Sequence, residues 1–157
     1  MKANIMKKVL IALDYNPTAK KVAEDGYAMA KAMDAEILLL HVGLDLGMYS
    51  SIYPNMGAWQ IDSADVINDY DIANKASHNF LEKVKKHLGD YSVQIMQKEG
   101  DAAQMILKTA EDIKADCIVM GSHSQKWLEN ILLGSVTKEV LRKTGIPMFV
   151  IPTKKGY

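Results

Sequence analysis

The stretch Ala115-Asp116-Cys117-Ile118-Val119-Met120-Gly121-Ser122 decides the fold class, because its apolar residues run without alternation and stop at a glycine. A strand covered on both faces carries a continuous run of Val, Ile and Leu, whereas a strand with one wet face alternates. Residues 118–120 therefore fit a buried parallel strand. Residues 9–13, 37–42 and 148–151 have the same character. A fifth segment, 92–97, alternates Val93, Ile95 and Gln97 with polar neighbours, the pattern of a half-covered edge strand.

Helical patterns fill every gap between these runs. After Asn16-Pro17, a helix-start signal, small or apolar residues recur at Ala19, Val22, Ala23, Gly26, Met29, Ala30 and Met33. Spacings of three and four mark one buried helix face. Ala73, Ala76, Phe80, Leu81, Val84 and Leu88 repeat the pattern up to Gly89. Asp101 with Gln104 makes a capping box ahead of Ala103, Ile106, Leu107, Ala110 and Ile113. A last helix starts near Ser135 and stops at Gly145, with Pro147 just beyond. Strand and helix alternate throughout, so the expectation is an α/β fold: one domain over 1–157, a parallel sheet with helices on both faces, and right-handed crossovers.

Composition agrees and excludes several classes. The chain has 157 residues, 48% of them hydrophobic and 24% charged, which argues against a disordered or fibrous protein. Lys plus Arg and Asp plus Glu both number 19, so the basic excess expected of a nucleic-acid binder is missing. Cys117 is the single cysteine and cannot form an internal disulfide; a reducing cytoplasm fits this. No apolar run approaches the roughly 20 residues that cross a bilayer, and residues 1–8 lack the features of a signal peptide. A soluble cytoplasmic protein without membrane or nucleic-acid partners is expected.

Two connections exceed a plain turn: 43–64, with Tyr49, Tyr53, Pro54 and Trp59, and 122–133. Long connections in small domains are either functional or variable surface excursions. In an open parallel sheet, ligands bind beyond the carboxyl ends of the strands at the switch in strand order. The residues to weigh are thus Asp14-Tyr15-Asn16-Pro17, His41-Val42-Gly43, and Gly121-Ser122-His123-Ser124 leading to Gly134-Ser135-Val136-Thr137. A helix start at Ser135 offers unpaired N–H groups and partial positive charge, which suits a phosphate, and Ser135 and Thr137 add hydroxyls. Gly-Ser at a helix start is also ordinary capping, and residues alone leave both readings open. His41 and His123 are candidates more for structural or solvated roles than for acid–base work, and His78 and His87 have no metal-ligand spacing.

The chain resembles the universal stress protein family. That family's ATP-binding signature is Gly, two residues, Gly, nine residues, Gly and Ser/Thr; here Gly121-Ser122-His123-Ser124, nine residues and Gly134-Ser135 occupy it, with Ser124 in place of the second glycine. Lys8 to Asp14, Glu99-Gly100-Asp101, Ala115 to Gly121, Gly134 to Leu141 and Ile146-Pro147-Met148 extend the resemblance over nearly the whole chain. The resemblance implies a Rossmann-like, five-stranded sheet ordered 3-2-1-4-5, with ATP or AMP across strands one and four. Asp14 would lie beside the ribose or a nucleotide-bound Mg²⁺. Ala12 and Val42 would flank the adenine, Met120 would line the same pocket, and Gly121, Ser124, Gly134, Ser135, Val136 and Thr137 would complete the nucleotide site, with Gly134 and Ser135 at its phosphate end. It also implies a homodimer through the last strand, Met148–Ile151, and a regulatory or signalling role in stress adaptation. If position 124 requires a positive φ, serine costs roughly 1–2 kcal/mol there. No general base or nucleophile–base pair is evident, so catalysis beyond slow ATP hydrolysis is not expected. The alternative function is a dimeric interaction protein with a degenerate, non-nucleotide site; in either case the protein partner is unspecified.

Overall fold

The apolar runs form the centre of one sheet in the computed structural model, which describes residues 6–43, 63–122 and 133–153, with side chains in the second stretch from residue 71. The elements are β1 (Lys8–Ala12), α1 (Ala19–Ala32), β2 (Glu36–Gly43), α2 (Ser63–Leu88), β3 (Gln94–Glu99), α3 (Ala102–Asp112), β4 (Cys117–Gly121), α4 (Ser135–Lys143) and β5 (Met148–Ile151). All four strand pairs are parallel and the order is β3-β2-β1-β4-β5, as the resemblance implied.

Side chains alternate across the sheet, so each strand contributes to two cores. Val9, Ile11, Leu39 and Val119 meet α1 and α2 on one face. Leu10, Leu38, Leu40, Ile118 and Met120 meet α3 and α4 on the other. Both faces are covered, which is why β1, β2 and β4 carry no polar alternation. On the first face, a Cβ added at Gly26 would lie 3.1 Å from both Ile11 Cδ1 and Val119 Cγ1, so glycine sets how closely α1 sits on β1 and β4.

Local signals explain the helix ends. Asn16 Oδ1 accepts the Thr18 N–H and hydroxyl, both at 2.9 Å, and turns the chain into α1. Asp101 accepts the Gln104 N–H at 2.8 Å and caps α3, as the capping box predicts. Helix α2 begins at Ser63, ahead of the apolar repeat that starts at Ala73.

The edge strand differs from expectation by two residues at its start and end. Asp90 Oδ1 accepts both Ser92 N–H and Ser92 Oγ–H, which holds 90–92 in a turn, and pairing begins only at Gln94. The other oxygen of Asp90 accepts the Tyr27 hydroxyl at 2.9 Å and Lys31 Nζ at 3.2 Å, tying α1 to this turn. The Ser92 donors, then Tyr27, hold the Asp90 carboxyl well below the usual carboxylate range. A shallow cavity of about 200 Å³ beside this knot is lined by Lys31, Glu36, Asp90 and Gln94, at the amino ends of β2 and β3. It lies at the end of the sheet opposite to the one where parallel-sheet ligands bind.

Candidate functional site

Strand order reverses between β1 and β4, and the chain leaves their carboxyl ends toward α1 on one face and α4 on the other. The crevice between these exits is the place to look for a ligand. Ala12 of β1, Val42 of β2 and Val136 of α4, all partly buried, pack against the core cluster under α3 and α4 that contains Met120 of β4. Four of the residues picked from sequence therefore share one apolar neighbourhood.

The start of α4 supplies polarity. Gly134 is its N-cap, with φ −65° and ψ 159°, and among the described residues no side chain caps the helix. The Gly134 carbonyl accepts Lys138 N–H at 2.9 Å, so the helical ladder starts there and the N–H groups of Ser135, Val136 and Thr137 have no intrahelical acceptor. The helix start thus carries partial positive charge, and its first turn holds no acidic residue. Because φ is negative at Gly134, no left-handed backbone requires glycine at this position.

Two hydrogen bonds close the neck of the connection between β4 and α4. Gly134 N–H donates to Ser122 O at 3.1 Å, and Thr137 Oγ1 donates to Gly121 O at 2.9 Å. Thr137 is buried, and its one hydroxyl proton, expected from sequence to face a phosphate, goes to that carbonyl. Sequence reasoning missed Ser122 and Thr153. Ser122 N–H donates to Ile151 O at 2.9 Å, and Ser122 Oγ accepts Thr153 N–H at 3.0 Å. These bonds fix the exit of β4 to the exit of β5. The only signal for Ser122 was its place after Gly121.

On the β1 side, Asp14 is exposed, and its carbonyl accepts Asn16 N–H at 2.8 Å. His41 is buried, 5% exposed, with Nδ1 at 2.8 Å from Leu13 O. Its ring lies 4.5 Å from that of Tyr15 and 5.7 Å from that of Phe80, and Tyr15 donates its hydroxyl to Ser77 Oγ at 3.1 Å. Ser124 and His123 lie outside the described residues, as does the connection over 44–62.

Among the described residues no group of three or more His, Cys, Asp or Glu could hold a metal ion, and no helix is long and apolar enough to cross a membrane. Cys117 is buried in β4, and burial pushes its thiol pKa up, away from a reactive thiolate.

Comparison with known proteins agrees with this architecture. The family model described as the universal stress protein family matches residues 6–152. Universal stress protein MJ0531 of Methanocaldococcus jannaschii is 32% identical over 154 residues, covering 97% of this chain and 85% of the relative. Universal stress protein MJ0577 of the same organism is 30% identical over 157 residues, covering 96% and 97%. The solved structure of MJ0577 superposes with a TM-score of 0.72 at 29% identity, over 97% of this chain and 99% of that one. More distant structures share the fold: a universal stress protein solved in complex with cAMP (TM-score 0.63, 16% identity, 96% and 100% coverage) and one from Archaeoglobus fulgidus in complex with dAMP (TM-score 0.58, 16% identity, 93% and 98%). With a sheet in the expected order and a family match along almost its whole length, the chain belongs to the universal stress protein family.

Proposed function

We propose that this chain binds an adenine nucleotide, ATP or AMP, in the crevice between β1 and β4, and acts from the cytoplasm as a regulatory protein in stress adaptation. The observation that carries the proposal is the uncapped start of α4, with three N–H groups lacking helical acceptors beside the apolar group Ala12, Val42, Met120 and Val136. A nucleotide needs both halves: an apolar slot for the base and donors for phosphate. The likeness to family members solved with cAMP and dAMP supports the same ligand class. Ser135 and Val136 would meet the phosphates through backbone N–H. Asp14, exposed at the end of β1, would face the ribose or a Mg²⁺ carried in by the phosphates, since the described residues offer no metal site of their own. The neck bonds of Thr137 and Ser122 would hold the helix start in place. Calorimetric titration of the full chain with AMP and with ATP plus Mg²⁺ tests the proposal: saturable binding at one site per chain is expected, and no heat up to millimolar nucleotide overturns it in favour of an interaction protein without a nucleotide.

The same reading includes a homodimer through β5. This strand is at the sheet edge, and Phe149 on it is 48% exposed. An edge with apolar side chains and unpaired backbone groups invites a second strand, and a two-fold axis would pair β5 with its copy. Light scattering at micromolar concentration should give twice the chain mass; a single species at 17.4 kDa would contradict the dimer.

A further inference from the structure

We infer that His41 is a positioning residue for the nucleotide site: its Nδ1–H bond to the Leu13 carbonyl aims the Asp14 amide into the crevice between β1 and β4. The inference rests on the adenine-nucleotide reading above and assigns a task to a buried side chain that the reading leaves idle.

Regular pairing of β1 with β2 ends at Ala12↔Leu40, so the peptide joining Leu13 to Asp14 lies past the ladder. Leu13 N–H still reaches Leu40 O at 2.8 Å, which turns both backbone polar groups of Leu13 toward β2. There the Leu13 carbonyl meets His41 Nδ1 at 2.8 Å. A carbonyl oxygen only accepts, so Nδ1 carries the proton and the tautomer is set. No peptide bond is cis, and in a planar trans peptide the N–H of one residue points opposite to the preceding C=O. With Leu13 C=O held toward β2, Asp14 N–H points toward β4. Among the described residues neither that N–H nor the Asp14 carboxylate has a hydrogen-bond partner. A donor and a carboxylate are thus presented together at the crevice.

The imidazole is itself held. Tyr15, the residue after Asp14, packs its ring on His41 at 4.5 Å, Phe80 of α2 approaches edge-on, and the Tyr15 hydroxyl is tied to Ser77. His41 therefore contacts both chain neighbours of Asp14. An apolar side chain would fill the same space; what histidine adds is one buried donor, and burying an imidazole is favourable only when that donor is used.

The test separates donor from filler in the full-length protein, with AMP as the probe. His41→Phe keeps a ring against Tyr15 and Phe80 but has no donor. His41→Asn loses the ring but places an amide N–H near the position of Nδ1. Urea unfolding should rank Phe at or above Asn. Calorimetric affinity should rank them in the opposite order, with Phe about tenfold weaker than the parent and Asn within about threefold, the range one hydrogen bond commands. The ¹⁵N–¹H signal of Asp14 in the ligand-free protein should move in the Phe variant and return toward its parent position in Asn. Should Phe not fold, His41→Leu takes its place with the same expectations. Affinities that simply follow stability, or an Asp14 signal unmoved by loss of the donor, overturn the positioning role while leaving the nucleotide reading intact. A parent protein that binds no AMP or ATP at millimolar concentration overturns that reading, and the positioning role falls with it.

Discussion

A Gly134→Val variant is expected to stay folded and to bind adenine nucleotide at least tenfold more weakly, a loss of about 1.4 kcal/mol or more. The two halves of this expectation have separate causes. Backbone angles of −65° and 159° at Gly134 lie in the extended region, where valine is at ease. The change costs the fold only the poorer N-cap quality of valine, on the order of 1 kcal/mol or less. Binding suffers more, because the new branched side chain is placed directly before Ser135, whose N–H has no other acceptor in α4. A phosphate oxygen has to come within about 3 Å of such a donor, and two added methyl groups at the preceding residue obstruct that approach. Calorimetry on the folded variant gives the result. Undiminished affinity would remove the start of α4 from the site.

A Leu39→Ala variant is expected to lose about 2–5 kcal/mol of stability while the folded protein keeps its nucleotide affinity. Leu39 has no solvent exposure, sits in β2 between β1 and β3, and contributes to the core beneath α1 and α2. Truncation removes its transfer energy and leaves a hole that the surrounding strands cannot close without moving the sheet. The proposed nucleotide wall, by contrast, belongs to the core on the other face, with Ala12, Val42, Met120 and Val136. Urea denaturation should show a lower midpoint with an unchanged slope, and titration under native conditions should match the parent. A loss below 1 kcal/mol, or a large fall in affinity at full folding, would mean that the two faces are not independent in the way the packing shows.

Much of the fold was legible because the sheet is buried on both faces. Runs such as Val9-Leu10-Ile11 and Ile118-Val119-Met120 are apolar at every position only when helices cover both sides, so they mark parallel strands without further help. The edge strand β3 was less legible. Val93 has the burial of a strand residue but precedes the strand, because the Asp90 side chain captures Ser92 and delays pairing; a side-chain-to-backbone bond of this kind leaves no periodicity to read. For the site, the residues after the strands pointed to the helix start at Ser135, whereas Ala12, Val42 and Met120 came only from the family resemblance. The neck bonds were hidden, since Thr137 as a hydroxyl at a helix start looks like a ligand donor until its partner, Gly121 O, is seen. His41 was hidden for the same reason: a histidine ending an apolar run says nothing of the carbonyl 28 residues earlier that it meets.

The central claim is that adenine nucleotide binds where β1, β4 and the start of α4 converge, and titration of ¹⁵N-labelled protein with AMP tests it most directly. Chemical-shift changes should concentrate at the amides of Ala12, Asp14, Val42, Gly121, Ser135, Val136 and Thr137, and saturate with the nucleotide, while signals around Asp90 at the opposite end of the sheet stay still. Absence of shifts at millimolar AMP, or saturable shifts centred on Lys31, Glu36 and Asp90 instead, would contradict the claim.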